Sequence, residues 1–213
     1  MNILIADDHS IVRTGLIFII KSQISNPNIY EASNVDHLEN ILRQHDVDLI
    51  ICDINMPGFD HAEIITTIKT IAPAVRILMF SAYSEDIYGL RYLKAGAHGY
   101  LHKESTEEET IKAIRMVIAN RTYFSSNLQQ HLLADKEETP AHPLSSLSSR
   151  ELDVAGLVGK GKTLKEISNL LNIHVSSVST YKRRVFEKLG IDNVADLITI
   201  INKGNIRNTG DTV

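Results

Sequence analysis

Along residues 1–120, short apolar runs alternate with stretches in which apolar positions recur every three or four residues. Ile3-Leu4-Ile5-Ala6, Leu49-Ile50-Ile51-Cys52 and Val75-Arg76-Ile77-Leu78-Met79-Phe80 have the length and β-branched content of buried strands. Ile29-Tyr30-Glu31-Ala32 and His98-Gly99-Tyr100-Leu101 read as shorter ones. Between them the spacing predicts helices near 10–24, 34–45, 60–71 and 84–95, with another at 106–119. Ser105 and Glu108 have capping-box spacing ahead of Ile111, Ile114, Val117 and Ile118. Repeated strand–helix alternation predicts an α/β, doubly wound five-stranded parallel sheet covered on both faces. Ligands of such sheets bind beyond the carboxyl ends of the strands.

After residue 120 the pattern changes. Residues 125–134 extend the helical part, with Leu128, Leu132 and Leu133 on one side, and residues 135–146 are polar with two of the five prolines, the mark of a linker. Beyond it no strand run stands out, so a smaller all-α unit is expected. Ser148 with Glu151, and Thr163 with Glu166, have capping-box spacing and open two short helices. A third runs from about Val175 to Leu189 and stops at Gly190, and a fourth from about Asn193 to Asn202. The expected organisation is therefore 1–120, 121–146 as helical extension and linker, 147–205, and a tail at 206–213.

Charge sharpens this division. Residues 1–143 carry 12 Lys and Arg against 19 Asp and Glu, a formal −7, whereas residues 144–213 carry 10 against 7, a formal +3. An acidic module is thus joined to one that can meet a polyanion. No apolar run has the length of a membrane span, and the N-terminus lacks a secretion-signal pattern. Cys52 is the sole cysteine, which excludes cysteine-cluster metal sites within one chain. Together these predict a cytoplasmic chain without internal disulfides.

Asp7 and Asp8 follow the first strand run and Asp53 the third, so the sheet would gather three carboxylates at one edge. Such carboxylates repel one another unless a cation is present, and an all-oxygen set points to a hard ion such as Mg²⁺. Ser81, after the fourth run, adds a hydroxyl, and Lys103, after the fifth, adds a cation. Any one of these residues alone reads as a turn or a solvated group. Their placement after four different strands points to phosphoryl transfer onto a carboxylate.

Ile3 through His9, Asp53-Ile54-Asn55-Met56-Pro57-Gly58, Phe80-Ser81-Ala82 and Gly96 through Lys103 resemble the signature segments of a bacterial response-regulator receiver domain. The resemblance implies that Asp53 accepts a phosphoryl group from a sensor histidine kinase. It implies that Asp8, Asp53 and the Asn55 carbonyl hold Mg²⁺ with Asp7 assisting, and that Ser81 and Lys103 contact the phosphoryl oxygens. Tyr100 would be the switch that turns inward when Ser81 moves. Two positions depart from the pattern: Asp60-His61 replaces a usual Asp-Gly, and Glu104 stands where many receivers have proline.

In the C-terminal part Leu164, Ile167, Leu170 and Leu171 form an apolar stripe, and a turn through Asn172-Ile173-His174 leads to the third helix. There Val178, Val185 and Leu189 face inward, leaving Ser179, Tyr181, Lys182 and Arg183 toward the other side. Basic residues beside short polar ones suit phosphate contacts and groove insertion, although a basic run can equally be a solvated face. The segments 147–154, 161–168 and 178–190 resemble the four-helix LuxR-type DNA-binding domain, and the whole chain resembles the NarL/FixJ class of transcription regulators. That resemblance implies that Ser179, Thr180 and Arg183 approach bases of double-stranded promoter DNA, while Lys165, Lys182 and Arg184 favour phosphates. His174 replaces the usual Ser or Thr N-cap. In the last helix Val194, Leu197, Ile198 and Ile201 form one apolar stripe, the default for packing on its own domain; Val194, Leu197 and Ile201 are expected inward, with Asp196 or Ile200 at a homodimer contact.

The expected function is a phosphorylation-controlled transcription factor whose only chemistry is Mg-dependent self-phosphorylation and dephosphorylation of Asp53. Its receiver surface near 84–119 would dimerise or release the DNA-binding unit. An aspartyl-phosphate phosphatase would need a second carboxylate near Asp53, where position 55 is Asn. A phosphate-independent DNA binder is the third reading.

Overall fold

The structure is a computed structural model that describes residues 1–54, 56, 64–83, 85–125, 128, 143–171 and 173–206; the side chains of 86, 87, 145, 149 and 202–206 also lie outside the description. Two compact units divide it, Met1–Glu137 and Glu138–Val213.

The first unit carries a five-stranded parallel sheet of order β2-β1-β3-β4-β5. The strands are β1 (Asn2–Ala6), β2 (Asn28–Ala32), β3 (Leu49–Cys52), β4 (Arg76–Ser81) and β5 (Gly99–His102), and the helices are α1 (Ser10–Gln23), α2 (Val35–Gln44), α3 (Ile64–Ile71), α4 (Glu85–Lys94) and α5 (Glu107–Ile118). All ten expected elements are present, shifted by a residue or two at their ends. The beginning expected for the third helix, at 60, lies outside the described residues. β3 is buried at every position, which explains its continuous apolar run. Ile3, Ile5, Leu49, Ile51, Leu78, Phe80 and Leu101 pack with Leu16 and Ile20 of α1 and Ala113, Ile114 and Val117 of α5. Side-chain alternation turns Leu4, Ile50, Ile77, Met79 and Tyr100 to the opposite face, where they too are buried.

The capping box of α5 corrects the expectation by one residue. Thr106 and Glu109 form it, because β5 and its turn run one position further and the Ser105 N–H is already bound to the His102 carbonyl. Of the expected extension at 125–134, only Ser125 and a buried Leu128 are described; Leu132 and Leu133 lie outside.

The second unit holds a 3-10 turn at Pro143–Ser146 and helices α6 (Ser149–Gly159), α7 (Leu164–Leu171), α8 (Val175–Leu189) and α9 (Val194–Ile206). Ser148 with Glu151 and Thr163 with Glu166 close the expected capping boxes. Gly190 ends α8 with φ 63°, a left-handed conformation that favours glycine. Leu170 departs from its expected inward position and is 61% exposed. Leu164, Ile167 and Leu171 lie along one line of α7, and 100° per residue places Leu170 roughly 90° away from it.

Candidate functional site: an acidic sheet edge and a basic helix

Strand register builds the first site. Ala6 pairs with Cys52, so Asp7 and Asp53 leave adjacent strands side by side, held by Asp7 N–H to the Ala32 carbonyl at 3.0 Å and Asp53 N–H to the Ala6 carbonyl at 2.7 Å. Ser81 pairs with His102, and the Lys103 N–H donates to the Ser81 carbonyl at 2.8 Å. The chain order reverses between β1 and β3, which opens the crevice where such sheets bind ligands.

Within this crevice Asp7 and Asp53 are only 1% and 2% exposed, and Ser81 is buried. Lys103 Nζ lies 2.6 Å from Asp7 Oδ2 and 2.8 Å from Asp53 Oδ2. Burial opposes the Lys103 charge, yet its hydrogen bonds to Asp53 and Asp7 outweigh that penalty and raise its pKa. Asp8 opens toward solvent. Asp7, Asp8, His9 and Asp53 each offer a ligand atom within 4.8 Å of the others. Three carboxylates against one ammonium leave an excess of two negative charges, the donor set and charge a hard divalent cation requires. Asn55, expected as a carbonyl ligand, lies outside the described residues, as do Asp60 and His61.

Tyr100 is wholly buried, and its hydroxyl donates to the Tyr83 carbonyl at 2.9 Å. Its ring is therefore already inward here. Burial raises its pKa. Tyr83, Tyr88, Tyr92 and Tyr100 form a continuous ring series with successive centroids 4.9, 6.5 and 6.2 Å apart. The Cys52 thiol is buried against the Asp53 carbonyl, 3.4 Å away, and burial together with Asp53 and Asp7 pushes its pKa up.

Two residues escaped the sequence reading. His9 Nδ1 lies 2.7 Å from Asp8 Oδ1, and Arg13 clasps the Asp7 carbonyl at 2.8 Å while pairing with Glu31. The neighbouring Asp8 signals His9; Arg13 becomes legible only once α1 is known to start at Ser10.

The second site is α8. Val178 and Val185 are fully buried, and Ser179, Arg183 and Arg184 are exposed. Lys182 is half-buried with Nζ 5.4 Å above the Phe186 ring, and Arg183 lies 3.4 Å from Glu187. The Thr180 hydroxyl donates to the Ser176 carbonyl at 2.9 Å. His174 occupies the N-cap without a side-chain cap bond, and Lys165 is exposed on α7. Lys188 pairs with the buried Glu151 at 2.6 Å and so ties α8 to α6. On α9, Leu197 is buried and Val194, Ile200 and Ile201 are half-buried, whereas Ile198, expected on the same apolar stripe, is 37% exposed because it is turned off the line of the buried positions. Asp196 is exposed but engaged with Asn193 at the helix start.

Residues 3–115 match the profile of the response regulator receiver domain, and residues 145–201 that of the bacterial regulatory proteins of the luxR family. The chain is a DNA-binding response regulator of the NarL/FixJ class. The regulator is 32% identical over 199 residues to response regulator UvrY of Escherichia coli K12, covering 92% of this chain and 91% of UvrY. Among solved structures it resembles the RcsB response regulator of Salmonella typhimurium, with TM-score 0.75, 26% identity and coverage of 96% and 98% of the two chains. A second RcsB structure, from Salmonella enterica serovar Typhimurium and bound to promoter rprA in the presence of phosphomimetic BeF3−, matches with TM-score 0.69 and 26% identity, covering 95% and 98%. These relatives are regulators rather than metabolic enzymes. Among the described residues of this regulator, no helix is long and apolar enough to cross a membrane.

Proposed function

We propose that this response regulator takes a phosphoryl group on Asp53 from a sensor histidine kinase in the cytoplasm and uses it to control binding of a homodimer to promoter DNA. The observation that carries this reading is the buried Asp53 carboxylate, held by Lys103 at 2.8 Å beside Asp7 and Ser81. An Asp53 carboxylate oxygen attacks the donor phosphorus, the P–N bond to the kinase histidine breaks, and its electron pair returns to the imidazole. Lys103 and the Ser81 hydroxyl then meet the phosphoryl oxygens. Mg²⁺, held by Asp8, Asp53 and the Asn55 carbonyl with Asp7 assisting, would offset phosphoryl charge when bound. Loss of the group to water is the only other chemistry the site performs.

Phosphorylation adds negative charge that Ser81 and Lys103 answer, favouring the inward Tyr100 and changing the surface around α4 and α5. Residues 1–120 form the receiver, 121–146 the extension and linker, 147–205 the DNA-binding domain and 206–213 a tail. In DNA, α8 enters the major groove with Ser179, Thr180 and Arg183 toward bases, and Lys165, Lys182 and Arg184 toward phosphates. Asp196 and Ile200 of α9 meet the second protomer.

Intact mass after treatment with acetyl phosphate and Mg²⁺ tests the reading. One phosphoryl adduct on the native chain, absent from Asp53→Ala, supports it, and sizing of the same samples reports dimerisation. No adduct under conditions that label a control receiver would make this a phosphate-independent DNA binder.

A further inference from the structure

β5 is the last strand of the sheet, so its outer backbone groups lack a strand partner. The chain leaving α5 covers them. Tyr123 bridges Gly99 in parallel register, its N–H donating to the His98 carbonyl at 3.0 Å and its carbonyl accepting from the Tyr100 N–H at 3.3 Å. Gly99 makes the approach possible, since a Cβ there would stand 3.2 Å from Tyr123 Cβ and carbonyl oxygen and 2.9 Å from Leu78 Cδ1. Two residues on, the Ser125 N–H donates to Glu85 Oε1 at 2.9 Å at the start of α4. Leu128, 2% exposed, then fills a notch in α4 at Gly89, where a Cβ would come within 2.9 Å of Leu128 Cδ2. The inner wall of that notch is Tyr100, whose Cβ lies 3.8 Å from the same point.

We propose that Arg121–Ser125, together with Leu128, form a clamp on the α4–β5 surface that closes only over an inward Tyr100, so that phosphorylation of Asp53 tightens it. The inference rests on the phosphoacceptor reading of Asp53. A phenol swung out from between β5 and α4 needs the space that Leu128 fills at Gly89, while Tyr123 holds the segment from the opposite face, against Leu78 and Leu101, so the docked segment and the outward ring exclude each other. Whatever draws Ser81 toward the phosphoryl group and favours the inward ring therefore favours docking. By reciprocity, docking favours the phosphorylated state by the same factor. The functional output is the effective length of chain ahead of the second unit, which release of the clamp increases and docking reduces, changing the concentration at which two DNA-binding units meet.

Hydrogen exchange on the full chain tests the clamp, following peptides that span 121–128 with and without acetyl phosphate and Mg²⁺, with intact mass taken on the same samples. With Asp53 phosphorylated, exchange in this segment slows about threefold or more, and Leu128→Ser removes the difference. A phosphorylated chain whose segment exchanges at an unchanged or faster rate overturns the proposal. A chain that takes no phosphoryl group refutes the phosphoacceptor reading alone, and the clamp is then decided by Leu128→Ser, which removes the buried anchor at Gly89. The segment should then exchange about tenfold faster and the NMR signal of ring-labelled Tyr100 should shift; an unmoved Tyr100 with the anchor removed sinks it.

Discussion

Replacing Lys103 with Met removes the cation while keeping an apolar stem of similar length. Lys103 is 15% exposed and stands 2.6 and 2.8 Å from carboxylates that are themselves 1% and 2% exposed. Removing one partner of a buried ion pair costs about 3–5 kcal/mol, because the other charge stays buried. Two features reduce the figure here: the crevice opens at Asp8, and a stranded carboxylate can take up a proton. About 2–3 kcal/mol is therefore expected at neutral pH without metal. For a unit of this size each kcal/mol moves the melting temperature by about 3 °C, so the receiver transition should fall by about 6–9 °C in EDTA. Millimolar Mg²⁺ should recover more of that loss in Lys103→Met than it adds to the native chain, since the variant pocket carries one more negative charge. Calorimetry of both proteins in EDTA and in Mg²⁺ supplies the four melting temperatures. A variant that melts within about 1 °C of native in EDTA, or that gains no more from Mg²⁺, would refute the claim that Lys103 balances these carboxylates.

Other consequences concern the second unit. Burial works against the Glu151 charge, but hydrogen bonds from Lys188 and Ser148 outweigh it and hold its pKa below 4.5. Its contribution to stability is thus fully present above 4.5 and lost as pH falls through the lowered value, and Lys188→Ala should flatten this acid limb in melts taken across that range. Gly190→Ala forces a Cβ onto a backbone with φ 63° and should cost about 1–2 kcal/mol in denaturant unfolding of this unit. In DNA-binding titrations, Lys182→Ala should lower the slope of log K against log salt by about 0.9, whereas Arg183→Ala should relax discrimination between sites. A uniform loss with Arg183→Ala would move that residue to the phosphate set.

The parts of the fold that were legible in the sequence are those fixed by local rules. Fully buried β3 reads as an unbroken apolar run, α8 ends where Gly190 permits a left-handed residue, and the pocket follows because Asp7, Asp53 and Lys103 each directly succeed a strand and Ser81 ends one. The misplaced capping box shows the limit of spacing alone: Ser105–Glu108 and Thr106–Glu109 both fit, and only the length of β5 chooses between them. Leu170 misleads for a related reason, since a helix of eight residues has too few turns to define its inward direction. The docking of Tyr123 and Leu128 was illegible because it depends on missing side chains at Gly99 and Gly89, far away in sequence. Tertiary proximity alone makes those absences meaningful.

The burial of Cys52 also bears on how the molecule can be watched. With the sole thiol enclosed at the end of β3, a maleimide dye added to the folded regulator has no accessible sulfur to react with. A cysteine introduced on an exposed surface would thus carry the label alone, and pairs so placed could follow distance changes between the two units without first removing the natural residue. Slow labelling of the unaltered chain would in turn count the rare openings of the sheet beside Asp53.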